Sequence, residues 1–193
     1  MKRIITAIAI ITALHCSAQK INFGVKAGLN MSMITGASNQ IMSSSNGFHA
    51  GAFLEFKALG KIAIQPELLF STQGAKFEND LSVSTTKMNY MMVPVMVKYY
   101  PIAGLFVEAG PQAGFLVTAK QDVENKITSA NSSEDIKDKT KAFDMSANVG
   151  VGYDILDKVV IQVRYCIGLT NTSTVDTVNT KNGVFQMSLG YKF

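Results

Sequence analysis

Nine ionisable side chains recur where every second residue is apolar: Lys26, His49, Glu55, Lys57, Glu67, Lys98, Glu108, Asp144 and Arg164. Both signs are present, so the first chemistry open to them is mutual pairing. A lone charge away from water is expensive, and burial is tolerated when the ion is paired and hydrogen-bonded. Glu67 and Glu108 could be imagined as an acid/base couple, but ion pairing with Lys98 or Arg164 is the simpler use of both. Past residue 18 the chain has one histidine, His49, and one cysteine, Cys166. A Cys–His nucleophile pair needs an orienting partner that the sequence does not reveal, and no His or Cys spacing fits a metal site. Gly24-Val-Lys-Ala-Gly28 sits in a strand pattern with no helix after it, so it is not a phosphate loop. The expectation is a structural polar network, no catalytic residue, no cofactor, no metal and no enzyme.

The elements that position these groups are strands. In the last stretch, 182–193, Phe185, Met187, Leu189, Tyr191 and Phe193 alternate with Val184, Gln186, Ser188, Gly190 and Lys192. Successive side chains of a strand point to opposite faces, so one face is apolar and the other small or polar. The same alternation runs through 21–33, 47–58, 61–73, 87–100, 105–118, 143–154 and 159–170, about eight strands in all. Every charge named above falls on the polar face. Pro94 lacks a donor for the ladder and predicts a bulge or bend. The polar stretch 74–86 reads as a loop that leaves room for strand extensions, and 119–142 as a long, charged, solvated loop.

The chain has 193 residues, 47% of them hydrophobic, with 15 Gly and a formal charge of +4. Lys2 and Arg3, the apolar run 4–14 and the small residues Ser17 and Ala18 have the form of a cleaved signal peptide. The expected domains are therefore 1–18, signal peptide, and 19–193, one β domain. Removing Lys2 and Arg3 lowers the formal charge to +2 and leaves no basic stripe for nucleic acid. Cys166 is then alone, so no intramolecular disulfide is available despite export. Beyond the leader no apolar run is long enough for a transmembrane helix.

Two further patterns bear on solvent. Connections after the second, fourth and sixth strands are short, while those after the first, third, fifth and seventh are longer and polar. Outward aromatics gather at both ends of the strands. Phe23, Phe56, Tyr99, Tyr153, Tyr191 and Phe193 lie at the short-turn end; Phe48, Phe70, Phe115, Phe143 and Phe185 lie at the loop end. Two aromatic girdles around an aliphatic band suit a bilayer with two polar interfaces. The expected fold is all-β: an eight-stranded antiparallel up-and-down transmembrane β-barrel, monomeric, its apolar face on lipid. Eight strands leave an interior that side chains can fill, which predicts a plugged lumen. The alternative is a soluble periplasmic lipocalin-like binder with the apolar face turned inward.

Five stretches carry a resemblance: Phe23-Gly-Val-Lys-Ala-Gly-Leu-Asn30, Gln65-Pro-Glu-Leu-Leu-Phe-Ser-Thr-Gln-Gly74, Val93-Pro-Val-Met-Val-Lys-Tyr99, Val107-Glu-Ala-Gly-Pro-Gln-Ala-Gly114 and Arg164-Tyr-Cys-Ile-Gly-Leu-Thr-Asn171. With them the chain resembles the outer-membrane β-barrel domain family common in Bacteroidota, which includes PorT-like proteins and is akin to small OmpA- and OmpX-like barrels. The resemblance implies residence in the outer membrane of a Gram-negative bacterium and insertion by its assembly machinery, with Tyr191 and Phe193 as the recognition signal. It implies contacts with outer-membrane lipid and a protein partner at the extracellular loops, or an accessory role in secretion. It transfers no catalytic residues.

Overall fold

The computed structural model describes residues 21–36, 43–78, 81–126, 131–170 and 180–193. The expected signal peptide, 1–18, lies outside them. Among the described residues nine strands follow in order: β1 (Ile21–Gly36), β2 (Ser43–Leu59), β3 (Ile62–Glu78), β4 (Ser82–Tyr99), β5 (Leu105–Asn125), β6 (Asn131–Asp135), β7 (Phe143–Ile155), β8 (Val159–Gly168) and β9 (Thr180–Lys192). A 3-10 turn, Lys137–Lys139, follows β6. The order round the sheet is β4-β3-β2-β1-β9-β8-β7-β5, and a β4–β5 pairing closes the ring. β6 is not a stave; it pairs with the part of β5 that projects past the ring. The molecule is a closed, eight-stranded, antiparallel, up-and-down barrel. β9 runs beside β1 from Gly24↔Lys192 to Gly36↔Thr180, which is the expected closing edge.

Alternation sets the two walls. Along β4, Met88, Tyr90, Met92, Pro94, Met96 and Lys98 point inward, and Met91, Val93, Val95, Val97 and Tyr99 point outward. Round the ring, the outward residues are mainly aliphatic and aromatic. Phe23, Tyr99, Tyr153, Tyr191 and Phe193 are exposed at the short-turn end, and Phe48, Phe115 and Phe143 at the other. Phe56, Phe70 and Phe185 on the same wall are half-buried. An outer wall of this kind is poorly matched to water and well matched to a bilayer.

The short connections share one end. β2 and β3 join through Gly60 and Lys61, with Gly60 at φ +51°, a conformation glycine adopts without a Cβ clash. β7 and β8 join through a tight turn in which Leu156 and Asp157 both have positive φ and Lys158 N–H donates to the Ile155 carbonyl at 3.1 Å. Positive φ at both central residues gives the turn the twist that a two-stranded hairpin requires.

One sequence expectation is extended and two are corrected. The stretch 74–86 is largely strand: Gly74 to Glu78 pairs in register with Val83 to Lys87, where serine and threonine suit an exposed ladder. Within 119–142, β5 continues to Asn125, β6 pairs against it and a 3-10 turn follows. Polarity misled both readings, because strands that stand clear of lipid need no apolar face. No bulge forms at Pro94; the register shift between β4 and β5 falls at Asn89/Tyr90. At Pro94 the missing donor is accommodated without loss of register.

Candidate functional site: a buried charge network

Inward side chains of the staves meet inside the ring. Lys26, His49, Glu55, Glu67, Lys98, Glu108, Asp144 and Arg164 are all buried there. Lys57 is half-buried at the short-turn rim, its ammonium 5.5 Å from the centre of the Tyr100 ring. The buried groups divide into separate clusters.

The central cluster is built on Arg164 of β8. Its guanidinium donates to both oxygens of Glu67, Nη1 to Oε2 at 3.0 Å and Nη2 to Oε1 at 2.8 Å. Its Nε donates to Glu108 Oε1 at 2.7 Å. Two-pronged contact of this kind is the strongest geometry an arginine offers a carboxylate. Lys26 Nζ approaches Glu67 Oε2 at 2.7 Å. The amides of Gln65 and Gln162 donate to Glu67 and Glu108, each at 2.7 Å. Two cations thus face two carboxylates with no net charge. Of the two partners the sequence offered to Glu67 and Glu108, Arg164 takes both.

A second cluster lies toward the short turns. Glu55 receives Lys192 at 2.9 and 3.0 Å, Lys98 at 3.3 Å and the Tyr100 hydroxyl at 2.9 Å. Lys192 also donates to Asp154 Oδ2 at 2.6 Å, and Tyr100 reaches that oxygen at 3.2 Å. Lys98 Nζ stands 3.9 Å from the centre of the Phe106 ring, close enough for a cation–π contact. Again two cations meet two carboxylates. Asp154, Lys192 and Tyr100 were missed from the sequence, though Asp154 and Lys192 lie on the polar face of their strands and alternation alone would have included them.

Toward the loop end the network turns neutral. Asn30 Oδ1 can only accept, so His49 Nδ1 carries the proton it shares with Asn30 at 2.7 Å, and Nε2 accepts from Ser188 Oγ at 2.8 Å. This Asn–His–Ser order is that of an activated serine. Here its surroundings oppose catalysis. Asn30 is fully buried, His49 is 1% exposed and Ser188 8%. Asn30 is also engaged by Ser71, two backbone carbonyls and Gln186, so the set is a knot in a larger amide lattice. Cys166 donates weakly to Gln186 Oε1 at 3.5 Å. Asp144, near the loop end, accepts from the Thr170 hydroxyl. Among the described residues, no group of three His, Cys, Asp or Glu side chains is placed to hold a metal ion.

Apolar clusters flank the polar layers. At the loop end Leu69, Met88, Tyr90, Met92, Leu116 and Ala119 pack together inside the ring, with Ile136 against them from the segment after β6. At the turn end Phe53, Phe106 and Val160 pack with Tyr100. Both phenylalanines need glycine opposite. Phe53 pairs with Gly24 and Phe106 with Gly152, and a Cβ on either glycine would come within 2.3 Å of the facing ring. The glycines on the polar face therefore make room for inward aromatics.

Outside the lipid band, Asp122 of the β5 extension accepts from Ser133 at 2.8 Å and Lys87 at 3.0 Å, and these bonds hold its carboxyl below the ordinary range. That pair is exposed and contributes little to stability.

Residues 17–174 match the family described as outer membrane protein beta-barrel domain. No curated protein matches the chain in sequence. Among solved structures, the chain is similar to Ail, the attachment invasion locus protein of Yersinia pestis, in complex with the heparin analogue sucrose octasulfate. There the identity is 16%, the TM-score 0.56, and the match covers 90% of this chain and 99% of that one. It is also similar to Neisserial surface protein A, at 12% identity and TM-score 0.56, covering 89% of this chain and 97% of that one. At these identities the structural likeness concerns the fold. The family match spans most of the chain, and the chain belongs to the outer membrane protein beta-barrel domain family.

Proposed function

We propose that this protein is a small integral outer-membrane barrel of structural or interaction type, with a lumen closed to solutes and its loop end as the contact surface. One observation carries the reading: the charges are turned inward and neutralised in pairs, while the outward wall is aliphatic between aromatic ends. A soluble lipocalin-like binder would need the opposite arrangement, with its apolar face round a ligand. The apolar clusters above and below the charge layers favour a plugged lumen over a pore. A non-enzymatic role is part of the same proposal.

The same proposal includes export through a cleaved leader, a monomeric state, and recognition of Tyr191 and Phe193 by the assembly machinery. Phe193 stacks on Phe23 with ring centres 5.5 Å apart, and its N–H donates to the Phe23 carbonyl at 2.8 Å. The last aromatic thus also staples β9 to β1. A PorT-like accessory role in secretion, and a source among Bacteroidota, rest on the resemblance of the five sequence stretches. The test is threefold. The protein should fractionate with outer membranes and show heat-modifiable gel mobility. In planar bilayers it should give no stable conductance steps. Crosslinking in intact cells should capture a partner at the loop end, and a secretion component there would favour the accessory role. Extraction without detergent would overturn the membrane reading; steady conductance would overturn the closed lumen alone.

A further inference from the structure

The short-turn mouth of the ring holds a bowl of about 380 Å³. Its floor is Tyr100, packed with Phe53, Phe106 and Val160 and in contact through its hydroxyl with Glu55 and Asp154. Its walls are three hairpin ends: the β2–β3 turn, the β4–β5 connection 100–104 and the β7–β8 turn. Two bonds tie the first two walls together, Lys61 Nζ to the Pro101 carbonyl at 3.0 Å and Tyr100 N–H to the Lys61 carbonyl at 2.8 Å. The Gly104 carbonyl accepts from Asp154 N–H at 2.7 Å and holds the second wall against the third. Gly104 has φ +79°, and a Cβ there would come within 2.8 Å of the Asp154 carbonyl, so this close approach needs glycine.

The charges of the bowl are sorted by wall. Lys57 and Lys61 stand at the end of the β2–β3 hairpin; Asp154 and Asp157 stand at the end of the β7–β8 hairpin. Round the ring these hairpins lie on opposite sides, with β4 and β5 between them one way and β1 and β9 the other. Asp154 Oδ2 is occupied by Lys192 and Tyr100, and its buried Oδ1 has no partner. Among the described residues, Lys57, Lys61 and Asp157 enter no ion pair. Lys57 meets the Tyr100 ring and Lys61 a backbone carbonyl. Lys158, next to Asp157, is exposed and does not line the bowl. The four lining charges sum to zero and are held apart, cationic on one wall and acidic on the other. A lone anion or cation would meet an opposing wall, whereas a zwitterion matches both. Between the charged walls, the amides of Ile102, Ala103 and Gly104 donate to no other described part of the chain, which leaves them to a ligand carbonyl.

We infer that the short-turn mouth binds a short peptide by both ends, its carboxylate at Lys57 and Lys61 and its ammonium at Asp157, with peptide carbonyls on the β4–β5 amides. Three extended residues reach about 10 Å. That fits within the roughly 16 Å that eight staves span at their usual spacing and tilt. The volume lies in the range of small-ligand sites. The inference rests on the proposed membrane orientation for its setting. With the loop end outside the cell, the mouth opens to the periplasm, where free peptides and the stem peptides of the cell wall both carry an ammonium and a carboxylate.

The test titrates the full chain, folded in a maltoside detergent, with trialanine at low salt by calorimetry. Capping either end of the ligand, as N-acetyl-trialanine or as trialanine amide, should weaken binding roughly tenfold, the worth of one charge-assisted contact. Lys57→Gln/Lys61→Gln should bind trialanine and its amide equally well, and Asp157→Asn should bind trialanine and its N-acetyl form equally well. A damaged mouth would lose affinity without losing discrimination at one chosen end. Heat-modifiable mobility of each variant reports the barrel itself, which separates failure of this site from failure of the barrel reading. Lys87→Gln/Lys120→Gln, at the opposite end, should match the wild type. A folded wild-type chain that ignores trialanine, or binds it whatever its ends, would overturn the site. So would preference for phosphoethanolamine, a lipid headgroup with the same two signs. Co-sedimentation with purified sacculi that trialanine reverses would identify the cell wall as the source of the peptide; trialanine binding without co-sedimentation would identify free peptides.

Discussion

The central and turn-end clusters hold the same charges, two cations and two carboxylates, in different ways. In the ring of eight staves β3 and β8 stand diametrically opposite, so the Arg164–Glu67 contact crosses the whole lumen. The turn-end pairs, Lys192 with Glu55, Lys192 with Asp154 and Lys98 with Glu55, each join staves only two apart. The centre uses a planar guanidinium with fixed donor directions. The end uses flexible ammonium groups, a tyrosine hydroxyl and an aromatic ring. A lysine that is lost at the end leaves Glu55 with another ammonium and a hydroxyl; an arginine lost at the centre leaves Glu67 with Lys26 and Gln65, and Glu108 with the neutral amide of Gln162. Redundancy protects the end, and geometry makes the centre rigid.

The sharpest way to break this contrast is Arg164→Ala. It strands Glu67 and Glu108 without their shared partner and should destabilise the barrel by roughly 3–5 kcal/mol, measured as a shift in urea unfolding from phospholipid vesicles. An unchanged midpoint would show that the diametric contact is dispensable. Val95→Arg probes the outer wall near the height of the same cluster, since Val95 pairs with Pro66 beside Glu67. It should lower insertion by about 2–4 kcal/mol, read as the folded fraction on lipid titration. Met96→Arg, one residue on, points inward where the Met96 side chain is fully buried and should fail by crowding, a loss that thicker or thinner bilayers do not alter. Normal assembly of Val95→Arg would mean that the walls are assigned the wrong way round.

Lys192→Met should be milder, about 1.5–3 kcal/mol in the same urea assay, because Lys98 and Tyr100 remain on Glu55. A loss equal to that of Arg164→Ala would remove the distinction between the clusters. The smallest equilibrium effect is expected from Phe193→Ala. Its ring contacts with Phe23 and Tyr191, centres 5.5 and 5.3 Å away, suggest roughly 0.5–1.5 kcal/mol per aromatic pair. Assembly kinetics in cells should suffer more than stability in vitro, and equal small effects on both would count against an assembly signal.

Alternation by itself determined a great deal of this protein. A period of two assigns each residue to a wall from its neighbours alone, so that Glu67, Arg164 and the rest share one wall needed no coordinates; that this wall faces inward is seen in the closed ring. Aromatic spacing likewise marked the two ends of the apolar band. Polarity failed only where strands leave the lipid, as in Gly74–Glu78 and β6, because there neither face must be apolar. Which inward residue meets which was a matter of closure. Arg164 and Glu67 are far apart in the chain and lie on opposite staves; only the curvature of a closed ring and its register bring them within 3.0 Å. The same holds for Phe53 over Gly24, since cross-strand register is a property of the pair and not of either strand.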